Sequence, residues 1–184
     1  MDHVGSCGCP AIWSDIRIVD DECRDLPTGA HGELLVRGPM VIRRYWRNES
    51  ATQESFDGDW FCTGDIGYYD PDGFLWIAGR KKDVIISGGE SIYPAELEMV
   101  LEECPDLVDS AVVQRPDDRW GEVPVAVVVR RKESRIDRAG VLALFEGRLG
   151  HYKHPKDVIF LDELPRTALG KVQKDRLRVL VQGS

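Results

Sequence analysis

Near the end of the chain one lysine is set between a glycine and an amphipathic helical pattern: Lys171, in LPRTALGKVQKDRLR, residues 164–178. A cation held on a short loop by Pro165 and Gly170 can be delivered to a place where negative charge accumulates; an ordinary solvated charge is the plain alternative. Asp65, in T-G-D at a strand end, offers two carboxylate oxygens whose separation suits vicinal hydroxyls such as those of a ribose, through two charge-assisted hydrogen bonds. Taken alone, T-G-D is more often a turn with a capping aspartate. Arg80 follows Gly79 at the end of a predicted strand, where its planar, permanently charged fork can grip nucleotide hydroxyls or phosphate oxygens, or simply pair on the surface. Gly88 and Gly89 let a backbone approach a ligand closely, although such a pair usually marks a turn, and no G-x-x-x-x-G-K-[ST] phosphate loop occurs in the sequence.

The elements that must position these residues fall into two textures. Residues 16–20 and 33–37 read as short strands separated by a loop containing Pro27. Residues 48–56 suit a short helix capped by Asn48, followed by turn residues Asp57, Gly58 and Asp59. WFCTGDIGYYDPDGFLWIAGR reads as a strand, a turn at Asp70-Pro71-Asp72-Gly73, and a second strand. After Arg80, DVIIS is a brief strand, Gly88 and Gly89 break it, and Pro94 opens a helix with Leu97, Val100, Leu101 and Cys104 on one face. Strands over 107–115 and 123–131, a helix over 137–149 with Leu142, Phe145 and Leu149 in register, a strand within KDVIFLDEL, and a helix over about 171–181 with Leu177, Leu180 and Val181 inward complete a β-α-β-β-α-β-α order. That order predicts a compact α/β unit with helices on a small mixed sheet, its boundary at Arg80-Lys81-Lys82.

The totals narrow the function classes. The chain has 184 residues, 42% hydrophobic and 30% charged, which suits one or two small globular domains. Its formal charge is −8, and residues 1–79 carry 14 acidic against 6 basic residues while residues 80–184 carry 18 of each. Binding to a nucleic-acid backbone needs clustered basic surface, so no nucleic-acid partner is expected. The longest apolar run, Val123–Val129, is far short of the roughly 20 residues that span a bilayer, so no transmembrane segment is expected. MDHVGSCGCPAIW lacks the pattern of a secretory signal, which points to a cytoplasmic location. Five cysteines without C-x-x-C spacing predict reduced thiols and no metal site.

GELLVRGP, WFCTGD, GFLWIAGRKKDVIISGGESIYPAELE and LPRTALGK resemble, in order and spacing from about residue 5 to the end, the successive C-terminal motifs of the AMP-forming acyl-CoA synthetase superfamily. That superfamily also includes peptide-synthetase adenylation domains and firefly luciferase. The resemblance implies an α/β (α+β) fold: residues 1–79 as the end of the large domain's β-barrel subdomain, 80–82 as a hinge, and 83–184 as the small C-terminal α/β domain with a mixed sheet. It implies a reaction of a carboxylic acid with ATP to give an acyl adenylate and pyrophosphate, then a thioester with coenzyme A. ISGGESIYPAELE favours the fatty or aryl acyl-CoA branch.

By the same resemblance Asp65 and Arg80 bind the nucleotide, Lys82 is the residue about which the small domain rotates, Gly88 and Gly89 line the coenzyme A tunnel, and Lys171 bridges carboxylate and phosphate oxygens during adenylation. Family enzymes carry upstream a Ser/Thr/Gly-rich phosphate loop, the acyl pocket and a glutamate that helps hold Mg2+. None is among these 184 residues, so the Mg2+ ligands are expected elsewhere, the chain alone is expected to be inactive, and a separate large-domain polypeptide is an expected partner. Cys9, Arg44 and Ile86 depart from the family pattern; Arg44 replaces a glycine that can take backbone angles an arginine adopts reluctantly. Two other readings stand beside this one: an adenylation domain loading a carrier-protein thiol, and a noncatalytic remnant serving as a binding module.

Overall fold

A computed structural model of the chain describes residues 3–183. The chain divides into two compact units, Met1–Lys82 and Asp83–Ser184.

The first unit is built on an antiparallel sheet of β1 (Asp15–Val19), β2 (Gly32–Arg37), β3 (Phe56–Asp57), β4 (Trp60–Tyr69) and β5 (Leu75–Arg80). β4 is its spine: β2 pairs along one edge, and β3 and then β5 pair with it in succession. Ile18, Leu34 and Leu75 form its small core, with Ile16, Leu26, Val36 and Tyr69 packed around them. The short helix α1 (Glu49–Glu54) begins where Asn48 caps it, the side-chain carbonyl accepting from the Ala51 amide at 3.1 Å. The turn joining β4 to β5 is organised by Asp70, whose carboxylate accepts from the Asp72 and Phe74 amides and from Trp76 Nε1. Arg44 has no positive φ; among the described residues the non-glycine positions with positive φ are Cys23 and Arg47, so the strain expected at Arg44 is not there.

The second unit holds β6 (Ile85–Ser87), β7 (Glu90–Ile92), α2 (Pro94–Glu102), β8 (Leu107–Asp117), β9 (Gly121–Arg130), α3 (Arg138–Ala143), β10 (Asp157–Leu161) and α4 (Lys174–Gln182). Its sheet is mixed: β9 pairs antiparallel with β8 along its length, parallel with β10, and with β6 through Ser87 and Gly121. The unbroken apolar run of β9 has a direct cause, since both faces of the strand are covered. Ala126 and Val128 pack with Leu97, Leu101, Val141 and Phe145 on one side, while Val125, Val127 and Val129 pack with Leu164, Leu177 and Val181 on the other.

Three expectations need correction. Glu90–Ile92 forms a strand, β7, that the sequence reading passed over because three residues give no usable period. The helix expected over 137–149 ends at Ala143; beyond it the amides of Phe145, Glu146 and Arg148 bond three residues back, and Gly147 leaves helical space at φ +70°. Phe145 still reaches the core through these tighter turns. The last helix starts at Lys174, and its buried stripe is Leu177 and Val181, with Leu180 left 37% exposed at the stripe's margin. No helix among the described residues is long and apolar enough to cross a membrane.

Candidate functional site

In the first unit the T-G-D segment lies on an irregular stretch of β4. Glu33 and Leu35 of β2 face Ile66 and Cys62, so β4 spends extra residues between them, and Gly64 takes φ +69° there. A left-handed residue inside a strand is the mark of a bulge, and glycine occupies it without a Cβ penalty. Thr63 anchors the bulge: its hydroxyl donates to Leu34 O at 2.8 Å and accepts from the Asp65 amide at 3.0 Å. Asp65 is thereby presented opposite Arg80, its register partner on β5. Arg80 Nε lies 3.0 Å from Asp65 Oδ1, and its Nη1 donates to Thr63 O at 3.1 Å. Gly64, Arg80, Lys81 and Lys82 line an open hollow of about 580 Å³. The structure thus brings Asp65, Arg80 and Lys82 into one neighbourhood.

Lys82 sits in a single 3₁₀ turn, Lys81–Asp83, directly after β5. Its neighbours are both fastened. Lys81 Nζ lies 2.8 Å from Glu33 Oε2 and 3.0 Å from Asp21 Oδ1 within the first unit. The hydrogen bonds it donates to Glu33 and then Asp21 outweigh burial and hold its ammonium well above the usual lysine range. Asp83 is paired with Arg178 of α4 within the second unit.

Gly88 and Gly89 form the two-residue tip of the β6–β7 hairpin, with φ +61° and +88°. Positive φ at both central residues is what such a tip requires if the strands are to keep their twist. The Gly88 amide donates to Trp120 O at 2.8 Å, and a Cβ on Gly88 would meet the Trp120 ring at 2.8 Å, which sets the turn against the β8–β9 connection.

Lys171 ends a tight exposed loop. Arg166 and Val172 bridge antiparallel, the Thr167 amide donates to Lys171 O at 2.8 Å, and the Lys171 amide donates to Thr167 Oγ1 at 3.2 Å. Pro165 and Gly170 are the residues expected to hold this loop, and Arg166 is not among them. Its guanidinium donates to Gly170 O at 2.6 Å and lies 2.5 Å from Asp109 Oδ2, tying the loop to β8. Gln173 adds a side-chain bond to Arg166 O at 3.0 Å. The signal was present as the arginine of L-P-R-T, but its partner Asp109 lies 57 residues away in sequence and no spacing reveals it. Among the described residues the Lys171 amine makes no ion pair, so the loop is ordered by its backbone and by the side chains of Arg166, Thr167 and Gln173 while the Lys171 charge stays available.

Comparison with known proteins fixes the family. The profile of the AMP-binding enzyme C-terminal domain matches residues 96–171, and that of the AMP-binding enzyme matches residues 1–46. An indoleacetate–CoA ligase of Aromatoleum aromaticum is 55% identical over 177 residues, 96% of this chain and 35% of the relative. A feruloyl-CoA synthase of an Amycolatopsis species is 44% identical over 177 residues, 96% of this chain and 36% of the relative. The crystal structure of ATP-bound MatB from Rhodopseudomonas palustris matches with a TM-score of 0.89 at 41% identity, covering 97% of this chain and 36% of that one. The chain belongs to the AMP-forming acyl-CoA synthetase superfamily and corresponds to the C-terminal portion of its members. It spans about 36% of the length of the relatives it matches.

Proposed function

We propose that this chain supplies the nucleotide-gripping edge and the mobile lysine-bearing domain of an ATP-dependent aryl or fatty acyl-CoA ligase. The observation that carries this reading is 55% identity across nearly the whole chain to an indoleacetate–CoA ligase. Together with the feruloyl-CoA synthase, it favours aromatic carboxylic acids within the branch. The remaining parts of the reaction, including the acyl pocket and the phosphate loop, belong to residues outside this sequence, which is why the chain alone is expected to be inactive and to need a large-domain polypeptide.

In this reading Asp65 holds the ribose hydroxyls with its carboxylate oxygens, and Arg80, braced by Thr63 O, pairs with the aspartate and adds a donor towards the nucleotide. Support comes from their cross-strand pairing beside an open hollow. Lys171 places its amine where an anionic carboxylate approaches an anionic phosphate, lowering the barrier by countering charge as it crowds. Rotation of the small domain about Lys82 then withdraws the lysine and brings Gly88 and Gly89 to the pantetheine of coenzyme A. Fastening of Lys81 to one unit and Asp83 to the other supports Lys82 as the pivot, because few backbone angles need change for a large rotation.

The test is a chimera in which this chain replaces the corresponding third of the indoleacetate–CoA ligase. ATP–pyrophosphate exchange and thioester formation should both persist. Lys171→Ala should slow adenylation by a factor of several hundred, about 3–4 kcal/mol, as expected for one preorganised contact in a transition state, while sparing thioester formation from supplied acyl adenylate. Equal loss in both steps would overturn the assignment of Lys171.

A further inference from the structure

Away from these residues, Glu146, His151 and His154 bring three donor atoms within 4.8 Å of one another. The local fold explains the grouping. After α3 the chain turns tightly to Gly150 and makes a 3₁₀ turn over His151–Lys153. In a 3₁₀ helix, with three residues per turn, side chains at i and i+3 eclipse. His151 and His154 therefore share one side, their ring centroids 4.6 Å apart, and Glu146 reaches the same point from the turns that follow α3.

His154 is 7% exposed and packs against Phe145. Its Nε2 lies 3.0 Å from Leu149 O. A carbonyl can only accept, so Nε2 carries a proton, and it is Nδ1 that offers a lone pair when the ring acts as a ligand. An imidazole whose far nitrogen donates to a backbone carbonyl is oriented and made more basic for metal ligation. No other hydrogen bond of this ring is formed among the described residues, and none of their buried side-chain nitrogens lacks a partner, so Nδ1 faces a side that solvent reaches.

We propose that Glu146, His151 and His154 bind a divalent ion of the zinc class. Two imidazoles and one carboxylate suit Zn2+, Co2+ or Ni2+, whereas Mg2+ and Ca2+ call for more oxygen ligands. Three protein ligands leave a further position for water. The bound ion ties the 3₁₀ turn to the end of α3 and stiffens the segment that inserts Phe145 into the core. A second grouping, His3, Asp70 and Asp72, is as close, but Asp70 already accepts from two backbone amides and Trp76, which is a turn-forming role.

The experiment is titration of the 184-residue chain with Zn2+, followed by calorimetry and by melting temperature, and repeated with Co2+. One ion should bind at this site, raise the melting temperature and shift the ring protons of His151 and His154 in NMR spectra. His151→Gln and Glu146→Gln, both at exposed positions, should each weaken binding at least tenfold, while His3→Gln leaves it unchanged. Equal melting of the metal-free variants and metal-free wild type separates ligand loss from misfolding. Unchanged affinity in His151→Gln, a thiolate charge-transfer band in the Co2+ spectrum that assigns binding to Cys7, Cys9 or Cys23, or no uptake of Zn2+ by the wild-type chain each overturns the proposal.

Discussion

Arg178 and Asp83 are 16% and 14% exposed, so their pair is largely withdrawn from water and joins α4 to the first residue of its unit. Removing Arg178 takes away the cation that faces the Asp83 carboxylate, and breaking a largely buried pair from one side typically costs about 3–5 kcal/mol, more than an exposed pair of the same geometry would. Arg178→Ala should lower the urea midpoint accordingly, and Arg178→Met combined with Asp83→Leu should recover much of the loss; a single-variant effect below about 1 kcal/mol would place the pair with ordinary surface bridges. Asp157 tests a second electrostatic effect. Burial acts to raise its pKa, but the hydrogen bond from Arg115, the Val158 amide and the charges of Arg138 and Arg115 prevail and depress it. A carboxylate depressed in the folded state contributes stability above its unfolded value near 3.8, and that contribution is lost as pH falls through the lower folded value. Asp157→Asn should therefore flatten the acid limb of the stability profile below about pH 4 and leave the slope near neutrality unaltered.

At the scale of elements, what was legible in the sequence was what a local rule could decide. Pro94 at the first position of α2, Asn48 before α1 and the Asp70–Gly73 turn are governed by neighbours within four residues, and each lies where it was read. The two-sided burial of β9 was visible as an apolar run, although which helix covers which face was not. β7 was too short for a period, α3 was cut by turns the apolar spacing did not register, and the Arg166–Asp109 clamp joins distant residues. The candidate site followed the same division: the residue types were readable, but the bulge at Gly64 that aims Asp65 was not. The β6–β7 tip gives a measurable contrast. Gly88→Ala meets both a left-handed φ and the Trp120 ring and should cost more than the 1–3 kcal/mol of backbone strain alone, whereas Gly89→Ala has open space and should stay within that range. In α4, Leu177→Ala should cost about 2–5 kcal/mol as a cavity in the core, and Leu180→Ala much less. Chemical denaturation of the 184-residue chain reads all four, and reversal of either order would contradict the packing described.

Across the whole molecule the two units differ in how completely they cover themselves. The second has two apolar layers about its sheet, while the first has a core of few residues; more than half exposed are Val4, Ile12, Trp13, Met40 and Trp46 in the first, two of them tryptophans, and Met99, Val108, Leu169 and Val179 in the second. Exposed apolar surface together with free strand edges favours association. Sizing chromatography should find residues 83–184 monomeric and the 184-residue chain self-associating; monomeric behaviour of both would refute this. The lysine loop has a different consequence. Laced by Arg166, Thr167 and Gln173, its backbone is already shaped before any contact, so on the function proposed above the slow stroke is expected to be the swing of the body that bears it. Thickening the buffer with sucrose should then slow the alternation of half-reactions in the chimera, as drag slows a paddle, and leave untouched how well the blade fits the water.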